Sequence, residues 1–277
     1  MATDRSLPPP ARIVRARDGV AMPALGLGTW RMGESRWRRR EEVAALRLGL
    51  DLGMTLIDTA ELYGNGGAEK VVGEAIKGRR DEVFLITKVL PSNASRDGTI
   101  KAAERSLRRL GIDRIDLYLL HWIGSYPIAE TLEAFARLKD DGKVRHYGVS
   151  NFYVANLEEC ERHPAGRTVS ANQVKYSLMQ RGIERDLLAW CAAREVAVMG
   201  YSALEEGRFE VRPALRRVAE RHGVSPEVAA IAWTLRHPHV VAIPKAVRPE
   251  HVRANARAIE VKFSAEDLAE LDAAYPA

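Results

Sequence analysis

Apolar residues along this chain alternate between two rhythms: short runs of strand length rich in Val, Ile and Leu, and longer stretches with apolar positions three and four apart. The short runs predict strands at 24–28, 55–58, 83–88, 117–121, 147–150, 170–174, 197–201 and 241–245. Helical spacing between them predicts helices at 41–52, 69–77, 100–110, 129–141, 153–162, 183–194, 225–236 and 249–258. Ser225-Pro226-Glu227 reads as an N-cap followed by proline at the first helical position, and Gly111 and Gly142 stand just past two helix ends. Before this alternation, Ile13-Val14-Arg15-Ala16 and Val20-Ala21-Met22 flank Arg17-Asp18-Gly19, a hairpin turn signal. A tail with Pro8-Pro9-Pro10 precedes the hairpin, and residues 264–274 predict one further helix.

Strand alternating with helix is the pattern of a parallel α/β sheet. Eight such units in a chain of 277 residues favour a closed (β/α)8 TIM barrel over an open doubly wound sheet. The hairpin is then an N-terminal addition able to cover the barrel floor, and the last helix a C-terminal one. One domain spanning residues 1–277 is expected. The open-sheet rival lacks its fingerprint: Gly26-Leu27-Gly28-Thr29-Trp30-Arg31 begins like G-x-G-x-x-G but carries Arg31 at the sixth position, and no helix follows at once. No phosphate-binding G-x-x-x-x-G-K-[ST] loop or G-x-S-x-G elbow occurs either.

Composition changes this picture little. Lys plus Arg number 42 against 37 Asp plus Glu, a formal charge of +5 that is spread along the chain. The densest cluster, Arg36-Trp37-Arg38-Arg39-Arg40, reads as a solvated face or the start of a helix, since no aromatic-interleaved or zinc-ligand pattern accompanies it. No nucleic-acid partner and no metal are expected. The two cysteines, Cys160 and Cys191, lie in helix-like segments without a C-x-x-C partner, which suits a reducing compartment and inert thiols. Residues 1–12 carry no apolar leader and no run approaches about 18 apolar residues, so a cytoplasmic protein without membrane contact is expected; separately, a monomer is expected.

Candidate chemistry sits at strand ends. The apolar run Thr55-Leu56-Ile57 leads into Asp58-Thr59-Ala60-Glu61-Leu62-Tyr63-Gly64-Asn65-Gly66-Gly67, a buried strand leaving the core into a glycine-rich loop. Lys88 ends the third barrel strand and His121 the fourth. Individually, Asp58 could cap a turn, Tyr63 pack as an ordinary aromatic, Lys88 reach solvent and His121 be a hydrogen-bonded core residue. In a barrel, however, the C-terminal strand ends form the active-site face, and adjacent strands would bring all four to one level. Together they make a general acid: a nearby ammonium lowers the pKa of a phenol, Asp58 keeps Lys88 protonated and oriented, and His121 hydrogen-bonds a substrate oxygen.

These segments, with Leu25-Gly26-Leu27-Gly28-Thr29-Trp30, Ile86-Thr87-Lys88 and Leu119-Leu120-His121-Trp122, resemble the aldo-keto reductases over nearly the whole chain. The resemblance implies a catalytic tetrad of Asp58, Tyr63, Lys88 and His121, and reduction of aldehydes or ketones by a nicotinamide cofactor, usually NADPH. It also implies that Ser150, Asn151 and Gln173 hold the nicotinamide carboxamide, that Tyr201 stacks under its ring, and that the loop from Ser202 to Arg208 meets the pyrophosphate, with Glu205 and Glu206 turned away. From the residues alone, Asn151 is equally a helix cap and Tyr201 a core aromatic. Lys245 and Asn255 match the adenosine end, where the chain departs from the family pattern at Ala246, Ala254 and His251; Arg248 is the alternative second cation. Trp30, Trp122 and Tyr63 are expected to line an aromatic substrate pocket. The pattern is most similar to bacterial reductases of small dicarbonyls such as methylglyoxal. A catalytically slow, cofactor-binding sensor or regulatory subunit on the same fold is the alternative reading.

Overall fold

The computed structural model describes residues 12–277. The segment with Pro8-Pro9-Pro10 lies outside the described residues. The chain opens with a two-stranded antiparallel hairpin, β1 (Ile13–Arg15) and β2 (Ala21–Pro23), in which Val14 faces Met22. Asp18 and Gly19 make the turn in the left-handed region.

Eight parallel strands follow: β3 (Gly26–Gly28), β4 (Leu56–Asp58), β5 (Phe84–Val89), β6 (Ile115–Leu120), β7 (Val144–Ser150), β8 (Ala171–Lys175), β9 (Ala197–Tyr201) and β10 (Val240–Ala242). Each pairs with the next in sequence. The sheet closes where Leu25 bridges Ala242, and Gly28 N donates to Pro244 O at 3.0 Å. Gly28 is required at this seam, because a Cβ there would sit 2.7 Å from the Ile243 carbonyl. The result is the expected barrel. Its strands are buried on both faces, which is why β6 reads Ile-Asp-Leu-Tyr-Leu-Leu without polar alternation.

Among the described residues ten α-helices surround or extend the barrel: α1 (Arg39–Asp51), α2 (Gly67–Ala75), α3 (Arg96–Leu110), α4 (Ile128–Asp140), α5 (Val154–Glu161), α6 (Leu187–Ala193), α7 (Pro213–Arg221), α8 (Pro226–Thr234), α9 (Pro249–Ala256) and α10 (Ala265–Ala274). Ser225 caps α8 as its sequence indicates, and Ser264 caps α10 with Asp267 in a capping box. Helix α7 is not among the helices read from the sequence. It is held by Ala214, Leu215, Val218 and Ala219 on one face, while Arg216, Arg217, Glu220 and Arg221 cover the other.

The hairpin seals the floor. Arg17 N donates to Glu195 O at 2.7 Å and Arg17 Nε to Val169 O at 2.5 Å, just before β9 and β8. Asp18 takes Lys139 Nζ at 2.5 and 2.6 Å and contacts His146 Nδ1 at 3.0 Å. Cys160 and Cys191 are free and buried, and burial first of all pushes both thiols up to about 12. Among the described residues no helix is long and apolar enough to cross a membrane, and no group of three His, Cys, Asp or Glu is placed to hold a metal ion.

Candidate active site

At the opposite pole, β4, β5 and β6 deliver Asp58, Lys88 and His121 to one level, and the loop after β4 folds Tyr63 over them. Lys88 is wholly buried and Asp58 is 2% exposed. Lys88 Nζ donates to both Asp58 oxygens at 2.8 Å and to Thr59 O at 2.9 Å. Its remaining neighbour is Tyr63 Oη at 3.3 Å. A dry ammonium is tolerable only when paired and hydrogen-bonded, and this one is both. Burial disfavours its charged form, yet Asp58 and then Tyr63 outweigh that cost and hold its pKa above the ordinary value.

The phenol differs from the sequence expectation in sign. Burial of Tyr63 raises its pKa by more than Lys88 lowers it, and the net value lies above that of a free phenol. The hydroxyl is therefore protonated at neutral pH, with an ammonium beside it to stabilise the phenolate once the proton leaves. Tyr63 reaches this position because Gly64, Asn65 and Gly66 all take positive φ, at 54°, 50° and 81°. Gly and Asn are the residues that enter that region at least cost. Its ring is met edge-on by Trp30, with centroids 5.0 Å apart, and by His121, 5.7 Å apart.

His121 is 8% exposed, and its Nδ1 has no hydrogen-bond partner among the described residues. Burial and then the Lys88 charge lower its pKa to about 3, so the imidazole is neutral across the physiological range. One ring nitrogen must then carry a hydrogen it can donate. Trp122 lies 4.7 Å from His121 between ring centroids. Both Trp30 and Trp122 remain about two-fifths exposed, at 41% and 39%, at the mouth of the site.

The residues singled out at the ends of β7, β8 and β9 form one hydrogen-bonded row continuous with this cluster. Ser150 Oγ donates to Gln173 O at 2.8 Å, and Gln173 Nε2 donates to Asp58 Oδ1 at 2.7 Å. Asn151, held at φ 61°, donates from Nδ2 to His121 O at 3.0 Å and accepts the Tyr201 hydroxyl at 2.8 Å. Ser202 opens the next loop at φ 55°. Glu205 in that loop turns aside onto Lys175 at 2.6 Å and Ser177 at 2.5 Å.

Lys245, Arg248 and Asn255 lie apart from the row, beyond β10. Lys245 Cβ lies 3.5 Å from where a Gly28 Cβ would be, Arg248 is the N-cap of α9, and Asn255 is buried within that helix. Neither Lys245 nor Arg248 has a carboxylate partner among the described residues. Partial desolvation and then the charge of Arg38 lower the Lys245 pKa, although much of its side chain is open to solvent. Within the arginine cluster Arg36 lies over the Trp37 ring, Arg39 pairs with Glu74 at 2.7 Å, and α1 begins at Arg39, the helix start allowed by the sequence.

Sequence reasoning passed over a second charged cluster directly behind Tyr63. Glu61 and Glu69 are both buried and both reach Arg109 of α3. Their available signal was Arg105 and Arg109, one helical turn apart on the face of α3 that meets α2.

The model of the Aldo/keto reductase family matches residues 24–276. Methylglyoxal reductase YeaE of Escherichia coli (strain K12) is 48% identical over 271 residues, 96% of this chain and 95% of that protein. Glyoxal reductase of Bacillus subtilis (strain 168) is 33% identical over 263 residues, 94% and 91% of the two chains. Among solved structures, an aldo-keto reductase from Klebsiella pneumoniae in complex with NADPH superposes with a TM-score of 0.93 at 46% identity, with 96% of each chain covered.

Proposed function

The chain belongs to the aldo/keto reductase family, and from that premise we propose that it is an NADPH-dependent reductase of small aldehydes and dicarbonyls such as methylglyoxal, with Tyr63 as the general acid. The observation that carries this reading is the buried contact of Lys88 Nζ with Tyr63 Oη at 3.3 Å, backed by both oxygens of Asp58. The sequence relatives named as methylglyoxal and glyoxal reductases support the substrate class.

The residues present suit a nicotinamide dinucleotide. Asn151 and Gln173 offer amide groups complementary to a carboxamide, beside the Tyr201 ring. Lys245 and Arg248 are cations without carboxylate partners among the described residues, as a phosphorylated ribose requires. Ser150, Asn151, Gln173, Tyr201, Ser202, Lys245, Arg248 and Asn255 would hold the cofactor. What NADPH supplies when bound is a hydride for the carbonyl carbon.

The chain's own residues supply the rest. Tyr63 Oη passes its proton to the carbonyl oxygen as negative charge develops there. Lys88 stabilises the resulting phenolate across 3.3 Å in a water-poor setting, where a fixed charge is worth far more than in solvent. Asp58 keeps the ammonium in place, and the neutral His121 ring donates its N–H toward the same oxygen. Trp30 and Trp122 flank the opening and give the substrate an apolar seat. The phenolate regains its proton from solvent after product leaves.

The test is loss of NADPH absorbance with methylglyoxal, glyoxal and a panel of simple aldehydes. Rapid oxidation with the dicarbonyls is expected. Tight NADPH binding without oxidation by any of them would overturn the reductase reading in favour of a cofactor sensor.

A further inference from the structure

The loop that carries Tyr63 has little conformational preference of its own. Three successive left-handed residues, two of them glycine, leave its backbone to be fixed by tertiary contacts. Two buried carboxylates bracket it. Glu61, two residues before Tyr63, accepts from Leu90 N at 2.8 Å and Asn93 Nδ2 at 2.9 Å, and lies 3.5 Å from Arg105 and 3.9 Å from Arg109. Glu69, six residues after Tyr63 and wholly buried, accepts from Arg109 Nε and from Thr87 Oγ1, the latter at 2.7 Å.

Arg109 is the common element. Its side chain runs beneath the turn, so that a Cβ on Gly66 would come within 2.5 Å of Arg109 Cδ and 2.6 Å of its Nε. Through Glu69 it is tied to Thr87, the neighbour of Lys88 on β5. One guanidinium thus connects both ends of the Tyr63 loop to the strand bearing the ammonium that Tyr63 must meet. The Glu61 and Glu69 side chains are 6% and 0% exposed and that of Arg109 19%, so solvent screens the Arg109 pairs only weakly. Pairs of this kind add little net stability but fix a geometry.

We propose that Arg109 is the positioning residue that sets the Tyr63 hydroxyl against Lys88, a role that rests on Tyr63 being the acid. In Arg109→Met the loop loses its anchor and the phenol moves away from the ammonium, while the row from Ser150 to Tyr201 is untouched. The groups facing Tyr63 are Lys88, Asp58, His121 and Tyr201. Burial raises the phenol pKa and Lys88 lowers it, so a phenol that shifts relative to both displaces the alkaline limb of the kcat profile.

The experiment compares wild type, Arg109→Met, Arg109→Lys and Tyr63→Phe in NADPH stoichiometry and Kd, and in the pH profile of kcat for methylglyoxal per bound NADPH. In Arg109→Met, unaltered cofactor binding, a fall in kcat of about 100-fold and a displaced alkaline limb are expected. Arg109→Lys should recover about a tenth of the wild-type rate. Wild-type kcat and pH profile in Arg109→Met would overturn the proposal. Should that variant fail to fold, Arg109→Lys carries the test: a roughly tenfold fall with the same displacement supports the role, and wild-type behaviour overturns it. Tyr63→Phe separates the two readings, because its full activity refutes the acid itself, whereas an inactive Tyr63→Phe beside normal Arg109 variants refutes only the positioning role.

Discussion

The two poles of the barrel carry the same three residue types to different ends. On the floor, Asp18, Lys139 and His146 close upon one another: the lysine takes both carboxylate oxygens and the histidine takes one of them. At the strand ends, Asp58 and Lys88 make the equivalent pair, but His121 stays out of it and Lys88 keeps a contact for Tyr63. Solvent divides them further, since the floor side chains are 15% (Asp18) and 34% (Lys139) exposed and those of the upper pair 3% and 0%. The floor cluster satisfies its groups internally and acts as a clamp. The upper cluster leaves a hydroxyl and an imidazole free in a dry setting, and that residual capacity is what chemistry needs.

Substitutions that exchange these qualities break the comparison, beginning with the largest effect. Lys88→Met should abolish measurable reduction and also destabilise the fold by about 3–5 kcal/mol, because Asp58 is then a buried charge with only the neutral Gln173 amide beside it. Chemical denaturation beside the NADPH assay would reveal both losses together. A stable, active Lys88→Met would contradict the assignment.

The pH dependence of stability is a gentler probe. The folded-state pKa of His121, about 3, lies below its ordinary 6.5, so the unfolded chain binds the extra proton between these values. The contribution of neutral His121 is fully present above pH 6.5 and declines as pH falls toward 3, with a slope of at most about 1.4 kcal/mol per pH unit. Replacing it by Gln should flatten the acid side of a Tm-against-pH curve; an identical curve would show that the imidazole takes up its proton in the fold as readily as in the unfolded chain. Smallest is the floor: Asp18→Asn should lower stability by about 1 kcal/mol and leave kcat unchanged. A change in kcat would show that the hairpin influences the opposite pole.

Most of this arrangement was legible in the sequence because the barrel converts a local signal into a spatial one. An apolar run ending in Asp58, Lys88 or His121 is visible residue by residue, and parallel strands then bring the ends together. Helix α7 was less visible because charge dominates its composition, although Pro213 at its first position and the spacing of Leu215 and Val218 were available signals. The Glu61, Glu69 and Arg109 cluster was only partly legible: the spacing of Arg105 and Arg109 marks one face of α3, but nothing in the sequence links that face to Glu61 in the β4 loop and Glu69 in α2. The sign of the Tyr63 shift was also out of reach: sequence names the ammonium beside the phenol, but not how completely the phenol is buried.

The central claim is tested most directly by single-turnover reduction of methylglyoxal on NADPH-loaded wild type and Tyr63→Phe. A rate lower by about 100- to 10,000-fold in the variant, with NADPH Kd unchanged, is expected for loss of a positioned proton donor. Equal rates in the two proteins would contradict the assignment of Tyr63 as the acid.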